Sequence, residues 1–339
     1  LPASTSSAGA SAGRRAAPAW WWLALPVAVV AALALASLFI GVSEVSPMLL
    51  FSAQPDQLAS KVLVVSRIPR TLALVLAGMA MAVAGSIMQM LARNRFVEPS
   101  TAGTVDSAGL GVLFVVLLAP GLPLMGKMLV AAVFALAGTA LFLAVLQRIP
   151  LRSALIVPLV GLVLGGVINA VTTFFAYRYD LMQSLSAWTT GDFSAVLRGR
   201  YELLWIALGL TVAAYVAADR FTVAGMGEDF ATNVGLNHRR LVALGLCIVA
   251  VITASVVVTA GVIPFLGLIV PNVVSLFMGD HMRRSLPWVA LLGAGFVLVC
   301  DIVGRLVLHP YEIPIGTVVG IVGSAMFLVL LLRGRSRWG

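Results

Sequence analysis

Apolar residues run along the chain in long blocks, separated by short joints that carry proline, glycine or charge. Ten blocks are long enough for helices, near 20–42, 68–91, 105–119, 127–146, 154–176, 201–217, 241–259, 264–278, 287–308 and 314–332. Most approach the ~20 apolar residues that carry a helix across a bilayer, inside which every backbone polar group must find its partner within the protein. The third and eighth blocks are short. The eighth also follows Pro264 and contains Pro271, which predicts a kinked or partly spanning helix. No joint is long enough to hide a soluble domain, and no period of ~20–50 residues marks a repeat array. The pattern predicts an all-α polytopic membrane protein with about ten transmembrane helices.

Composition agrees. Of 339 residues 61% are hydrophobic and 10% charged, with mean hydropathy +1.06, against ~45–50% apolar and ~25% charged in a soluble domain. This excludes a cytosolic enzyme, a disordered chain and a nucleic-acid module. The net charge of +9, from 22 basic against 13 acidic residues, reads as the loop bias of a membrane protein. With the amino terminus inside, roughly two thirds of the 22 lysines and arginines fall on the inner side. An even number of spans then makes both termini cytoplasmic. Residues 1–19 are small and polar and read as a disordered cytoplasmic tail, 20–332 as the membrane domain, and 333–339 as a second cytoplasmic tail. Arg14 and Arg15 before the first apolar block also fit a signal peptide, but a block of about 23 residues suits a retained span better.

Signals for chemistry within the chain are weak. Gly121 to Lys127 fits the start of a phosphate-binding loop, but Met128 stands where a Ser or Thr must hold magnesium. No His-Glu-x-x-His, Cys-x-x-Cys or nucleophile elbow occurs. His238, His281 and His309 fall at span ends or in loops, and Cys247 and Cys300 lie in apolar runs. Asp301 is the clearest acid within a span, and Arg305 follows on the same helical face as an available i,i+4 partner. A chain of mid-membrane acids, usual in ion-coupled carriers, is missing, so the driving force is expected from elsewhere.

Four stretches stand apart from generic lipid-facing helix. Arg67-Ile-Pro-Arg70 makes a positive rim at the outer end of the second span. Read plainly it is an interfacial anchor; read functionally it is a docking point for an acidic partner. Gln89 to Thr104 forms a polar elbow between the second and third spans. The inner loop 219–240 contains Gly227 to Gly235, with Glu228 and Asp229 suited to the first turn of a short helix and Gly235 to its end. Last come Gly261-Val-Ile-Pro-Phe-Leu-Gly267-Leu-Ile-Val-Pro271 and Glu312-Ile-Pro-Ile-Gly316. Gly161/Gly165 and Gly316/Gly320 also form GxxxG pairs, read by default as helix packing.

In this order the stretches resemble the FecCD family, permease subunits of ABC importers for iron-siderophores, haem and vitamin B12. The resemblance covers about residues 67–332. It implies the type II ABC importer permease fold, a second permease subunit, two cytoplasmic ABC ATPases that bind ATP-Mg, and a periplasmic or lipoprotein siderophore-binding protein. The chain itself would bind no cofactor or metal, carry no catalytic residue and contact no nucleic acid, and would sit in the bacterial inner membrane. Residue by residue, the resemblance assigns Arg67, Arg70 and Arg305 to docking of the binding protein. It assigns Gly227, Glu228, Asp229, Ala231 and Gly235 to coupling with the ATPase. Gly165, Gly166 and Asn169 on the fifth span are the candidates for the translocation path or gate. Two departures carry information: Arg93-Asn94-Arg95-Phe96-Val97 replaces the common Arg-Asn-Pro-Leu-Ala, and Pro271-Asn272-Val273-Val274-Ser275 replaces Pro-His-x-x-x-Arg. Both resemble the branch that handles ferric catecholate-type siderophores, in which the two permeases often differ. A heterodimer is therefore expected over a homodimer. Haem or vitamin B12 as cargo, an ion-coupled carrier, an intramembrane enzyme and a non-transporting scaffold remain as alternatives.

Overall fold

A computed structural model describes residues 21–41, 61–149 and 156–334. The expected tail 1–19 and the end of the chain beyond 334 lie outside the described residues. Thirteen α-helices are present, with no strand among the described residues. Ten coincide with the ten apolar blocks: α1 (Trp21–Phe39), α2 (Ile68–Leu91), α3 (Thr104–Leu118), α4 (Leu124–Leu146), α5 (Ile156–Arg178), α7 (Leu204–Val216), α10 (His238–Ala260), α11 (Leu266–Met278), α12 (Met282–Leu306) and α13 (Ile315–Gly334). Three short ones lie between: α6 (Met182–Thr189), α8 (Ala218–Met226) and α9 (Glu228–Asn233). By length and composition α2, α4, α5, α10 and α12 can each cross a membrane alone, and α7 with α8 forms a sixth candidate bent by 64°. The other four are shorter apolar helices. At ~1.5 Å per residue α3 and α11 reach only about 20 Å, well below the ~30 Å hydrocarbon thickness. Among the described residues there are therefore ten apolar helices, of which these two are too short to cross alone.

Helix α2 is the axis of the bundle, flanked by α7, α10, α11 and α12. From Ala73 to Met88 it is buried at nearly every position. A helix can be surrounded this closely only where small residues let backbones approach. A Cβ on Gly78 would stand 2.7 Å from the Gly293 carbonyl of α12, and one on Gly293 would stand 2.5 Å from the Gly78 carbonyl. A Cβ on Gly85 would run into the backbone of Gly267 on α11. These two crossings fix α11 and α12 against α2.

Prolines in this axis are compensated from outside their own helices. Pro69 has no N–H for the Val65 carbonyl, and the Arg198 N–H donates to that oxygen at 3.1 Å. A π-helical turn, Leu63–Arg67, precedes it. In α11, Pro271 likewise leaves the Gly267 carbonyl free, and Gln89 Nε2 of α2 donates to it at 3.3 Å. Pro271 is buried inside one continuous helix, so the expected irregularity is borne by the neighbour's side chain.

Helix α5 is the exception to burial. It rests on α3, α4 and α6 and leaves Leu162, Val163, Val167 and Phe174 exposed. The polar Asn169 and Thr173 share that open side, a costly arrangement against lipid tails and an acceptable one against protein or water.

Gly85→Ala should be strongly destabilising, by about 2–4 kcal/mol, because the new methyl group meets backbone rather than a movable side chain. Gly109→Ala, whose Cβ would meet nothing within 4 Å, should be neutral or slightly stabilising. Thermal unfolding of the detergent-solubilised protein compares the two.

Candidate functional site

The elbow between α2 and α3 is built from local polar closures. Asn94 Oδ1 accepts from the Phe96 N–H at 2.8 Å, and Thr101 Oγ1 accepts from the Glu98 N–H at 3.0 Å. Gly103, at φ +73°, turns the chain into α3. These closures push the Glu98 side chain inward, where it is fully buried. Its Oε1 accepts the Phe265 N–H at 2.8 Å and the Ser100 hydroxyl. Its Oε2 faces the Gly267 and Leu268 N–H groups but forms no well-aligned bond. Glu98 thus caps α11 from another element. The carboxyl group sits at the positive end of the helix, where burial raises its pKa to about 7, and Phe265, held at φ +61°, is the residue from which the helix departs. Farther along, Asn272 Nδ2 donates to the Arg95 carbonyl at 2.8 Å, and Arg95 pairs with Asp280 just past the end of α11. The elbow is fastened to α11 at its start, middle and end.

The elbow also receives α5. A Cβ on Gly161 would collide with the Thr101 carbonyl, and one on Gly165 would stand 2.6 Å from Asp106 Oδ2. The Gly161/Gly165 pair serves packing, as expected, but against the elbow and the start of α3 rather than along a second full span.

At the α2 N-terminal end the three arginines of the sequence pattern do meet, but they face inward. Asp301 lies between two of them. Its Oδ1 is 2.7 Å from Arg70 Nη2, and its Oδ2 pairs with Arg305 one helical turn away. Arg70 Nη1 also reaches Glu312 at 2.6 Å. Arg305 Nη1 donates to the Ser37 and Ile40 carbonyls at the end of α1, at 2.9 and 2.6 Å. Arg67 Nη1 donates to Leu38 O at 3.1 Å. Asp301, Arg305 and Arg67 are 2%, 4% and 7% exposed. The positive rim expected from the sequence is formed, but its arginines are turned inward and largely buried. The expected Asp301–Arg305 pair exists, but Arg70 joins it and α1 covers it. Apolar periodicity could not show that α1 would lend its carbonyls to α12. Ile40, Gly41, Ser66, Arg67, Arg70 and Glu312 are among the residues around a small cavity of about 130 Å³.

The loop 219–240 folds as α8, α9 and the start of α10. Glu228 and Asp229 occupy the first turn of α9, Ala231 is buried beneath it, and Gly235 at φ +82° ends it. The Gly235 N–H bonds to Thr232 O and the Leu236 N–H to Ala231 O, both at 2.9 Å, the paired closure of a Schellman turn. Phe230 and Val234 remain exposed. Gly227, at φ +126°, has the Arg93 guanidinium beside it, 3.3 Å from where a Cβ would be. Asp219 of α8 pairs with Arg283 of α12 at 2.5 Å.

Gly165, Gly166 and Asn169 line one cavity of about 460 Å³ between α3 and α5. Sequence reasoning missed its remaining polar residues, Asp106 and Ser100. Asp106 sits in the first turn of α3, where an acid usually signals helix capping, so nothing in the pattern marked it. Among the described residues no group of His, Cys, Asp and Glu could hold a metal ion.

Residues 28–333 match the FecCD transport family. The chain belongs to the FecCD family. This FecCD chain is similar at 51% identity to the petrobactin import system permease protein YclN of Bacillus subtilis, over 90% of its own length and 96% of the relative. It is 43% identical to the petrobactin import system permease protein FatD of Bacillus anthracis (92% and 91% covered). With the ferric-anguibactin transport system permease protein FatD of Vibrio anguillarum it shares 41% (88% and 94%). Among solved structures it superposes on a metal-chelate type ABC transporter in an inward-facing conformation. That match has TM-score 0.77 at 24% identity and covers 92% of this chain and 99% of that one. The type II importer permease fold expected from the sequence is the fold found, in a multi-pass membrane protein of a transport family.

Asp301→Asn should leave two buried guanidinium groups undercompensated and cost about 3–5 kcal/mol. Glu312→Gln, on the partly exposed side of the cluster, should cost under about 1 kcal/mol. Glu98→Ala strips the cap of α11 and should cost about 2–3 kcal/mol, while Glu98→Gln, which keeps an acceptor, should cost less. Melting curves rank the four, and hydrogen exchange at residues 265–268 should rise in Glu98→Ala alone.

Proposed function

We propose that this chain is the membrane permease of an ATP-driven importer that carries a ferric siderophore across the bacterial inner membrane. The observation that carries the reading is the near full-length similarity to siderophore permeases, 51% identity to the Bacillus subtilis petrobactin permease. In this reading both termini are cytoplasmic and the α2 N-terminal end faces outward. Two ABC ATPases bind ATP-Mg and grip α9 through its exposed acidic turn and Phe230. A second, non-identical permease packs against the open side of α5. A siderophore-binding protein docks at the outer end. There Arg67, Arg70 and Arg305 act by shaping the surface and by their single surplus positive charge, since most of their donors are committed within the chain. The α9 helix transmits the ATPase stroke through Arg93 to the elbow. From there it reaches α11 at Glu98 and α5 at Gly161, so that α5 tilts and access changes sides.

Reconstitution tests this. Proteoliposomes holding this chain, its partner permease and the ATPases, supplied with binding protein, should accumulate radioiron-labelled ferric petrobactin uphill, only with hydrolysable ATP. Uptake that survives a hydrolysis-dead ATPase and collapses with the proton gradient would instead make the chain a secondary carrier. Charge reversal of the exposed pair Glu228 and Asp229 to Lys should lower uptake at least about ten-fold with folding intact, by breaking the contact with the ATPase. Purification through a tag on this chain alone should recover the second permease in equal amount.

A further inference from the structure

The cavity between α3 and α5 has one ionisable group among its lining residues, Asp106. Its carboxylate reaches across to α5 through a gap that exists because residue 165 is glycine; a Cβ there would stand 2.6 Å from Oδ2. Asn169 of α5 lines the same cavity, with its side chain within electrostatic reach of the carboxylate. The amide is oriented for donation, because Asn169 Oδ1 accepts from Thr173 Oγ1 at 3.1 Å, which leaves the NH₂ group available to Asp106. Gly166 opens the space further, with nothing within 4 Å of where its Cβ would be. Among the described residues no lysine, arginine or histidine forms an ion pair with Asp106. An acid that only complemented the α3 dipole would need none of this machinery on α5. A carboxyl group without a counter-cation in a membrane bundle either keeps a proton or is completed by a cation, and the cavity at its face leaves room for the cation.

We propose that Asp106, beside Asn169, makes this cavity a cation-accepting subsite of the translocation path, which takes an ammonium or similar organic cationic group carried by the cargo. The placement on the path rests on the permease reading above; the electrostatics of the cavity do not.

The test uses the assembled importer with Cys247→Ser, since Cys247 is exposed and Cys300 buried, and a reporter at Ala170→Cys on the cavity wall. Reaction rates are measured on this chain by mass spectrometry for a trimethylammonium methanethiosulfonate and its sulfonate counterpart. The cation should react faster, and Asp106→Asn should lower the cation-to-anion ratio about ten-fold, the size expected for removing one charge a few ångströms away in a wet cleft. If Ala170→Cys fails to fold, Leu162→Cys on the same wall replaces it. Labelling should also change sides of the bilayer when ADP and vanadate trap the ATPases. An unchanged ratio, or no reaction with either reagent, overturns the subsite. Labelling blind to the nucleotide state removes it from the path. Slowing of the cationic reagent by sodium but not by N-methylglucamine at equal ionic strength would give the charge to an inorganic ion and overturn the assignment to cargo. Each of these can fail while ATP-driven uptake of ferric petrobactin succeeds, and the reverse, so the two readings fall separately.

Discussion

A helix that begins inside an apolar bundle exposes N–H groups with no carbonyl to take them, and no bulk water is at hand to substitute. Helix α11 begins in this way, at a left-handed Phe265 packed against Gly323 and Phe327 of α13. The bundle meets the constraint with a single buried carboxylate, Glu98, supplied by the elbow. The elbow must therefore hold a fixed position relative to α11, and the Asx turn at Asn94, the Thr101 closure and the Asn272 bond all serve that fixity. Once the elbow is fixed, so are the start of α3 and the glycine seats in which α5 lies. Much of the bundle's irregular geometry follows from capping one short helix.

The arginine cluster obeys the same rule for charge. Three guanidinium groups and two carboxylates meet at the end of α2, and Asp301 serves both Arg70 and Arg305. Burying a cation is tolerable only when its donors are used, and the carbonyls at the frayed end of α1 use those that the acids leave over. Those carbonyls lack partners of their own at a helix C-terminus. The two shortages cancel, which fixes α1 to α2 and α12 through polar contacts where apolar packing would leave it free to slide.

Elements that depend on one stretch of chain were legible in the sequence; elements that depend on two were less so. The ten apolar blocks, the short helix closed by Gly235 and the Asp301–Arg305 pair are local in sequence, and each sits where period, capping and i,i+4 spacing put it. The inward turn of Arg67 and Arg70 needs α1, which is distant in sequence. The cap of α11 by Glu98 joins residues far apart along the chain, so the acid at 98 looked like one more polar residue in an elbow. Pro264 and Pro271 predict a kinked or partly spanning helix, and α11 is indeed short; what the pattern could not reveal is that Gln89 would take the freed carbonyl. Gly165 was read as a path candidate through family resemblance and as a packing residue through its spacing. The structure shows the close contact that the spacing predicts, and the missing Cβ is also what admits the Asp106 carboxylate.

That last coincidence links the moving parts. Gly227 lies against Arg93 at one end of the elbow, and Gly161 and Gly165 lie against its other end. Between them the elbow is a tight sequence of turns clamped to α11, with little freedom to absorb a displacement locally. In the proposed transport cycle a push on α9 would reach α5 as a shift of the whole elbow against the glycine seats. Glycine contacts suit such a shift, because backbone can slide on backbone where interlocked side chains would have to change rotamer. Asp106 stands in the first turn of α3, which the elbow leads into, so a tilt of α5 against the elbow would also change the distance between that carboxyl group and the Asn169 amide. In the proposed cycle the hold on a cationic group and the tilt of α5 would then be set by one piece of chain, the elbow and the helix start it leads into.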